Sequence, residues 1–149
     1  MNNLNYASRE ASQRLVDAGI VLETDFYWYV YNEDMCRSLI AADKAIPAPY
    51  LVNRASVRTR IGSIPTAYVP APSMAEVWRE LPEYVEYKKD DRPLIEYLRI
   101  DKNGDGSLSC GYGQYSEMTI NDNPTDALIE LLIWVRKEKE DGNSYNSKG

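Results

Sequence analysis

The chain has 149 residues, 44% of them hydrophobic and 27% charged, a balance that suits one globular domain with a sizeable core and argues against general disorder. Its net charge of −6 opposes any general attraction to nucleic acid or anionic membrane, and it has no apolar run of the roughly 18 residues that span a bilayer. Histidine is absent, which removes His-dependent triads, Cys–His nucleophiles and most zinc sites.

The first ten residues, MNNLNYASRE, lack the basic start and apolar core of a secretory signal, so a cytoplasmic protein is expected. Cys36 and Cys110 are isolated and are read as free thiols. Twelve Tyr stand against one Phe. Tyr combines apolar area with a hydroxyl, which favours half-wet positions on sheet faces and interfaces.

The chain order predicts a helix over 9–18, capped by Ser8, with Glu10 near the positive end of the dipole and Ala11, Leu15 and Ala18 at helical spacing. Gly19 ends it in a left-handed turn, and Ile20 returns an apolar contact to Leu15. DFYWYVYN (25–32) predicts a strand with Phe26, Trp28 and Val30 on one face and Tyr27, Tyr29 and Tyr31 on the other. A short helix is expected within 35–45. Residues 46–72 carry five prolines and read as an excursion at the sheet edge, with a strand or hairpin arm over 51–61.

Ser73 and Glu76 make a capping box for a helix over 73–81, with Met74, Val77, Trp78 and Leu81 as an apolar stripe closed by Pro82. Strands follow at 84–89, 94–100 and within 107–120. Asn123 caps the last helix, with Pro124 at its first position and Asp126 in the first turn. Its segment ALIELLIWV (127–135) is apolar almost all round, so it is buried on more than one side. Gly142 stops it, and 143–149 form a disordered tail.

The expected fold is therefore α+β: a mostly antiparallel sheet of about four to five strands, with the N-terminal, central and C-terminal helices packed on one face. One domain spans 1–142.

Three groups of residues carry candidate chemistry. In DKNGDGSLSCGY (101–112), Asp101, Asn103, Asp105 and Ser109 match the oxygen positions of a calcium loop. Tyr112 stands where a bidentate acid belongs, and no helix follows; the same letters read as a hairpin turn, which is the preferred reading. Arg54, Arg58 and Arg60 share one face of the expected strand, as a phosphate or nucleic-acid grip or as a charged face that blocks edge pairing. Tyr27, Tyr29 and Tyr31 are candidates for a partner surface, whereas Trp28, Trp78 and Trp134 read as core. The paired acids Glu83–Glu86, Asp90–Asp91 and Glu138–Glu140 read as solvated charge rather than as a glycosidase pair. No Walker loop, dinucleotide fingerprint or G-x-S-x-G is present.

ASREASQRLVDAG, DFYWYVY, VPAPSMAEVWRELP and NPTDALIELLIWV together resemble a group of small uncharacterised proteins of phages, prophages and mobile elements of gut bacteria. That resemblance implies a setting and a framework, with no activity or catalytic residue attached. Taken with the missing catalytic side chains, the expectation is a non-enzymatic accessory or interaction protein. It uses no cofactor, acts on a protein partner, and is compatible with a homodimer. The alternatives are a phosphate or nucleic-acid binder and a calcium-binding hairpin.

Overall fold

The computed structural model describes residues 5–31, 33–55, 68–113 and 118–140. Among them the chain forms four helices and seven strands. In order these are α1 (Arg9–Asp17), β1 (Phe26–Tyr29), α2 (Glu33–Ala41), β2 (Tyr50–Asn53), β3 (Tyr68–Pro70), α3 (Met74–Glu80), β4 (Tyr84–Lys89), β5 (Arg92–Lys102), β6 (Leu108–Tyr112), β7 (Thr119–Asn121) and α4 (Pro124–Glu140). No helix among the described residues is long and apolar enough to cross a membrane.

The fold is α+β with antiparallel pairing throughout, but the strands form two sheets where one was expected. The first has order β2-β1-β3 and the second β4-β5-β6-β7. The difference lies in the proline-rich excursion. Two short pieces of it return to flank β1, with Tyr29 opposite both Tyr50 and Tyr68. Pro70 is tolerated because it ends an edge strand. β1 itself stops at Tyr29, short of the predicted Asn32. β2 stops at Asn53, and Arg54 and Ala55 turn helical; the rest of the strand expected over 51–61, residues 56–61, lies outside the described residues.

The second sheet is a meander of four strands, with β4 and β5 joined by a two-residue turn. β5 pairs β4 along Arg92–Tyr97, then β6 along Leu98–Lys102. Register places Val85, Leu98, Ile100, Leu108, Cys110 and Tyr112 on one face. All six join the main core with Ala11 and Leu15 of α1, Val77 of α3, and Leu128, Ile129, Leu131 and Leu132 of α4. Burial of each large apolar side chain contributes about 1.5–3 kcal/mol, so this cluster is the principal source of stability. α4 is apolar on several sides because it meets α1, α3, β6 and β7.

The helix starts follow the sequence closely. Ser8 Oγ accepts from Ala11 N at 3.1 Å, and the reciprocal Ser73–Glu76 capping box is formed. Ile20 N donates to Leu15 O at 3.0 Å past Gly19 at φ 73°, as a Schellman ending requires. The N-terminal segment holds the first sheet to the start of α4: Ala7 N donates to Pro72 O, just past β3, at 2.9 Å, Trp28 Nε1 of β1 donates to Ala7 O at 2.8 Å, and Asn123 Nδ2 donates to Tyr6 O at 3.2 Å. By contrast α2 buries no residue completely. The expected tail, 143–149, lies outside the described residues.

Candidate functional site

The 101–109 stretch is a hairpin. Asp101 pairs with Ser109 and Lys102 with Leu108 across β5 and β6. The turn closes through Asn103 N to Ser107 O at 2.8 Å and Gly106 N to Asn103 O at 3.0 Å. Gly106 has φ 90°, a conformation costly for any residue with a Cβ. The side chains proposed as metal ligands engage one another instead. Asn103 Nδ2 donates to Ser107 Oγ and Ser109 Oγ, both at 2.8 Å. Asp105 Oδ1 accepts from Ser107 Oγ at 2.7 Å and Ser107 N at 2.9 Å. Asp101 accepts from Arg99 Nε at 3.0 Å. Among the described residues no three His, Cys, Asp or Glu side chains converge as a metal cluster.

The Ser107 hydroxyl, and then its backbone N–H, hold the Asp105 carboxyl below the usual carboxylate range. A carboxyl depressed by folding stabilises the turn above its ordinary pKa, and that contribution is lost as pH falls through the folded value. An NMR titration should therefore show Asp105 protonating below a free Asp, with the Ser107 amide shift following the same curve. An ordinary Asp midpoint would contradict the observed turn geometry.

The arginine group is only partly described. Arg54 leaves β2 in helical conformation rather than extending the strand, and Arg58 and Arg60 lie outside the described residues. Arg54 is half-buried, its amide donates to Asp25 O at 2.8 Å, and its Nε is buried with no hydrogen-bond partner among the described residues. The expected single strand face bearing three guanidinium groups is thus not formed at Arg54, because pairing with β1 ends at Asn53.

The tyrosines form a cluster rather than an open surface. Tyr27 is only 6% exposed and packs with Tyr68 in a second, smaller core. Tyr29 sits at its centre, 4.9 Å from Tyr31, 5.1 Å from Tyr68 and 5.4 Å from Tyr50 between ring centroids. Tyr29 Oη donates to Met35 Sδ of α2 at 3.9 Å. The edge strands β3 and β2 supply Tyr68 and Val52 to the cluster that buries Tyr27, so Tyr27 is not exposed to a partner. Tyr29 and Tyr31 are half-buried.

Neither cysteine forms a disulfide. Burial pushes the Cys110 thiol up, the hydrogen bond with Thr119 Oγ1 at 3.0 Å opposes this, and the Glu130 charge adds to it. Cys36 is half-buried on α2. A thiol reagent should label Cys36 in the native protein and Cys110 only after denaturant is added. Labelling of both at one rate would contradict the burial of Cys110.

The concave surface of interest was not anticipated. An open groove of about 590 Å³ is lined by Trp78, Arg79, Leu81, Glu83, Tyr97 and Leu98. Its volume falls within the range of small-ligand and peptide pockets. The apolar lining comes from Leu81 and Leu98, which also belong to the core. Its aromatic lining comes from Trp78, 48% exposed, and Tyr97, 60% exposed. Tyr97 is held by Tyr84 directly across the β4–β5 pair, with ring centroids 5.7 Å apart.

Trp78 was expected in the core with Met74, Val77 and Leu81. Val77 and Leu81 are buried, and Met74 packs against the core, but Trp78 lies about 100° around α3 from Val77, at the edge of that stripe, and stays 48% exposed. The Trp78 indole N–H has no hydrogen-bond partner among the described residues, and Arg79 and Glu83 form no ion pair there. Arg136 of α4 instead pairs with Glu80 at 3.0 Å. The groove therefore offers two aromatic faces, one free N–H donor, one cation and one anion. Comparison with models of known families, with curated proteins and with solved structures found no match.

Proposed function

We propose that this chain is a non-catalytic interaction protein that receives an extended, proline-containing peptide segment between α3 and β5. The observation that carries the reading is the pairing of two exposed aromatic rings, Trp78 and Tyr97, in one groove whose Arg79 and Glu83 charges are uncommitted.

The chemistry follows from what such a segment presents. A polyproline II strand has no internal hydrogen bonds, so its carbonyls remain free acceptors, and its rings form a rigid apolar ridge. Aromatic-lined grooves recognise that ridge because little conformational entropy is lost on docking. The Trp78 N–H supplies a donor to a ligand carbonyl. Arg79 and Glu83 select flanking acidic and basic side chains and set direction. The lack of histidine in the whole sequence and the use of the 101–109 oxygens within their own turn support a binding role over proton transfer or ion binding.

Isothermal titration of the native chain with a panel of synthetic proline-containing peptides, each bearing one acidic and one basic residue, tests this. Saturable binding is expected for part of the panel, with Tyr97→Ala and Trp78→Ala each weakening it by more than about tenfold, as hot-spot aromatics do. Binding that both substitutions leave intact, or no binding across the panel, overturns the reading.

A further inference from the structure

We infer that the segment seated in this groove is residues 43–49 of a second copy of the same chain, an inference that rests on the proposed peptide-binding role of the groove. The sequence there is DKAIPAP. Pro47 and Pro49 fix their own φ, and each restricts the residue before it, so Ile46 and Ala48 are held in extended conformations. The whole run 46–49 is thereby biased to a polyproline II ridge before any partner arrives.

The structure leaves this ridge without an occupation of its own. Residues 41–48 are all exposed, and Ile46 presents 48% of its surface to solvent. The backbone bonds Asp43 N to Ile40 O at 3.0 Å and Lys44 N to Leu39 O at 2.8 Å close the end of α2. Beyond Lys44, residues 45–49 make no hydrogen bond among the described residues. Asp43 adopts φ 55°, which turns the chain sharply out of the helix and directs the ridge away from it. Neither Asp43 nor Lys44 forms an ion pair among the described residues.

The two surfaces are complementary in kind. The ridge carries an apolar Ile–Pro–Ala–Pro run preceded by one acid and one base. The groove carries an apolar and aromatic lining beside one base and one acid, Arg79 and Glu83. Asp43 meets Arg79 and Lys44 meets Glu83, satisfying four charges that are otherwise solvated singly. Because each copy holds both a ridge and a groove, reciprocal exchange closes a two-fold dimer, while one-way docking generates longer chains. The contact is small, so association is weak and visible only as concentration rises.

Sedimentation velocity of the full chain over a concentration series tests the inference. The mean mass is expected to rise with concentration. Trp78→Ala, which spoils the groove, and the double substitution Pro47→Ala with Pro49→Ala, which loosens the ridge, should each weaken association by more than about tenfold. An equimolar mixture of the two variants should recover part of the association, since one intact ridge then meets one intact groove. The proline variant alters only exposed or half-exposed positions, so it decides the matter even where Trp78→Ala perturbs folding.

A synthetic peptide of residues 43–49 should compete with self-association. A chain that stays monomeric at every concentration overturns the inference, and so does an oligomer that both variants leave intact. A monomeric chain that still binds proline peptides through Trp78 overturns the self-association alone and leaves the groove's proposed function standing.

Discussion

Replacing Leu132 with Ala is expected to lower the free energy of unfolding by about 2–5 kcal/mol, a large share of the roughly 5–15 kcal/mol that stabilises an ordinary domain. Leu132 is fully buried, in a cluster that α1, α3, α4 and the inner face of the second sheet all share. Removing its three outer carbons forfeits their transfer free energy and leaves a cavity. The neighbours Leu128 and Leu131 lie on the same helix, and the strands opposite are held in register by their ladders, so none can move far to fill it. Ile133, one position along, is only half-buried. Ile133→Ala on the same helix is therefore the internal control, with a smaller loss from comparable helix propensity and less cavity. Denaturant titration reads both. A midpoint shift for Leu132→Ala no larger than that for Ile133→Ala, at unchanged slope, would contradict the placement of the core on that side of α4.

What could be read from the sequence was what local chemistry controls. The Ser8 and Ser73 caps, the Gly19 ending and the 103–107 turn depend on residues a few positions apart, and each is formed as its letters dictate. The apolar circumference of α4 announced its burial because seventeen residues give periodicity room to show. The second sheet was hidden for the opposite reason. β2 has four residues and β3 three, too short for alternation to separate strand from loop, and the prolines beside them argued against pairing. Their partner is β1, and no local pattern encodes that choice.

The groove was missed for a related cause. Trp78 occupies an apolar position at helical spacing, which is the mark of a core residue, but it sits at the edge of the stripe whose centre is Val77 and is left outside. Tyr97 alternates with the inward Leu98 and Ile100, so its outward direction was legible. Its place beside Trp78 in one groove was not, since that depends on where α3 lies relative to β5.

Asp126→Ala is expected to cost about 2–3 kcal/mol, more than an ordinary cap. The sequence marked Asp126 as an acid in the first turn of α4, where it favours the dipole. In the structure it does more. Its Oδ1 accepts from the backbone N–H of Ser8 at 2.8 Å, and its side chain is nearly buried. Ser8 is itself the cap of α1. One carboxylate thus sits at the start of both helices, between two positive dipole ends. Asn123 reinforces the junction: its Oδ1 accepts from Thr125 N at 2.9 Å while its Nδ2 donates to Tyr6 O at 3.2 Å.

Removing the carboxylate leaves the Ser8 N–H without its acceptor and loosens residues 6–8, through which Ala7 bonds to Trp28 of β1 and to Pro72 just past β3. Asp126→Asn keeps an acceptor oxygen and loses only the charge, so its cost should be smaller, about 1 kcal/mol. Hydrogen exchange separates the local effect from the global one. The Ser8 amide should exchange faster in Asp126→Ala by more than the drop in global stability accounts for, and amides in β6 should follow the global change alone. Equal acceleration at both places would mean that Asp126 stabilises the fold without acting as the tether between α1 and α4.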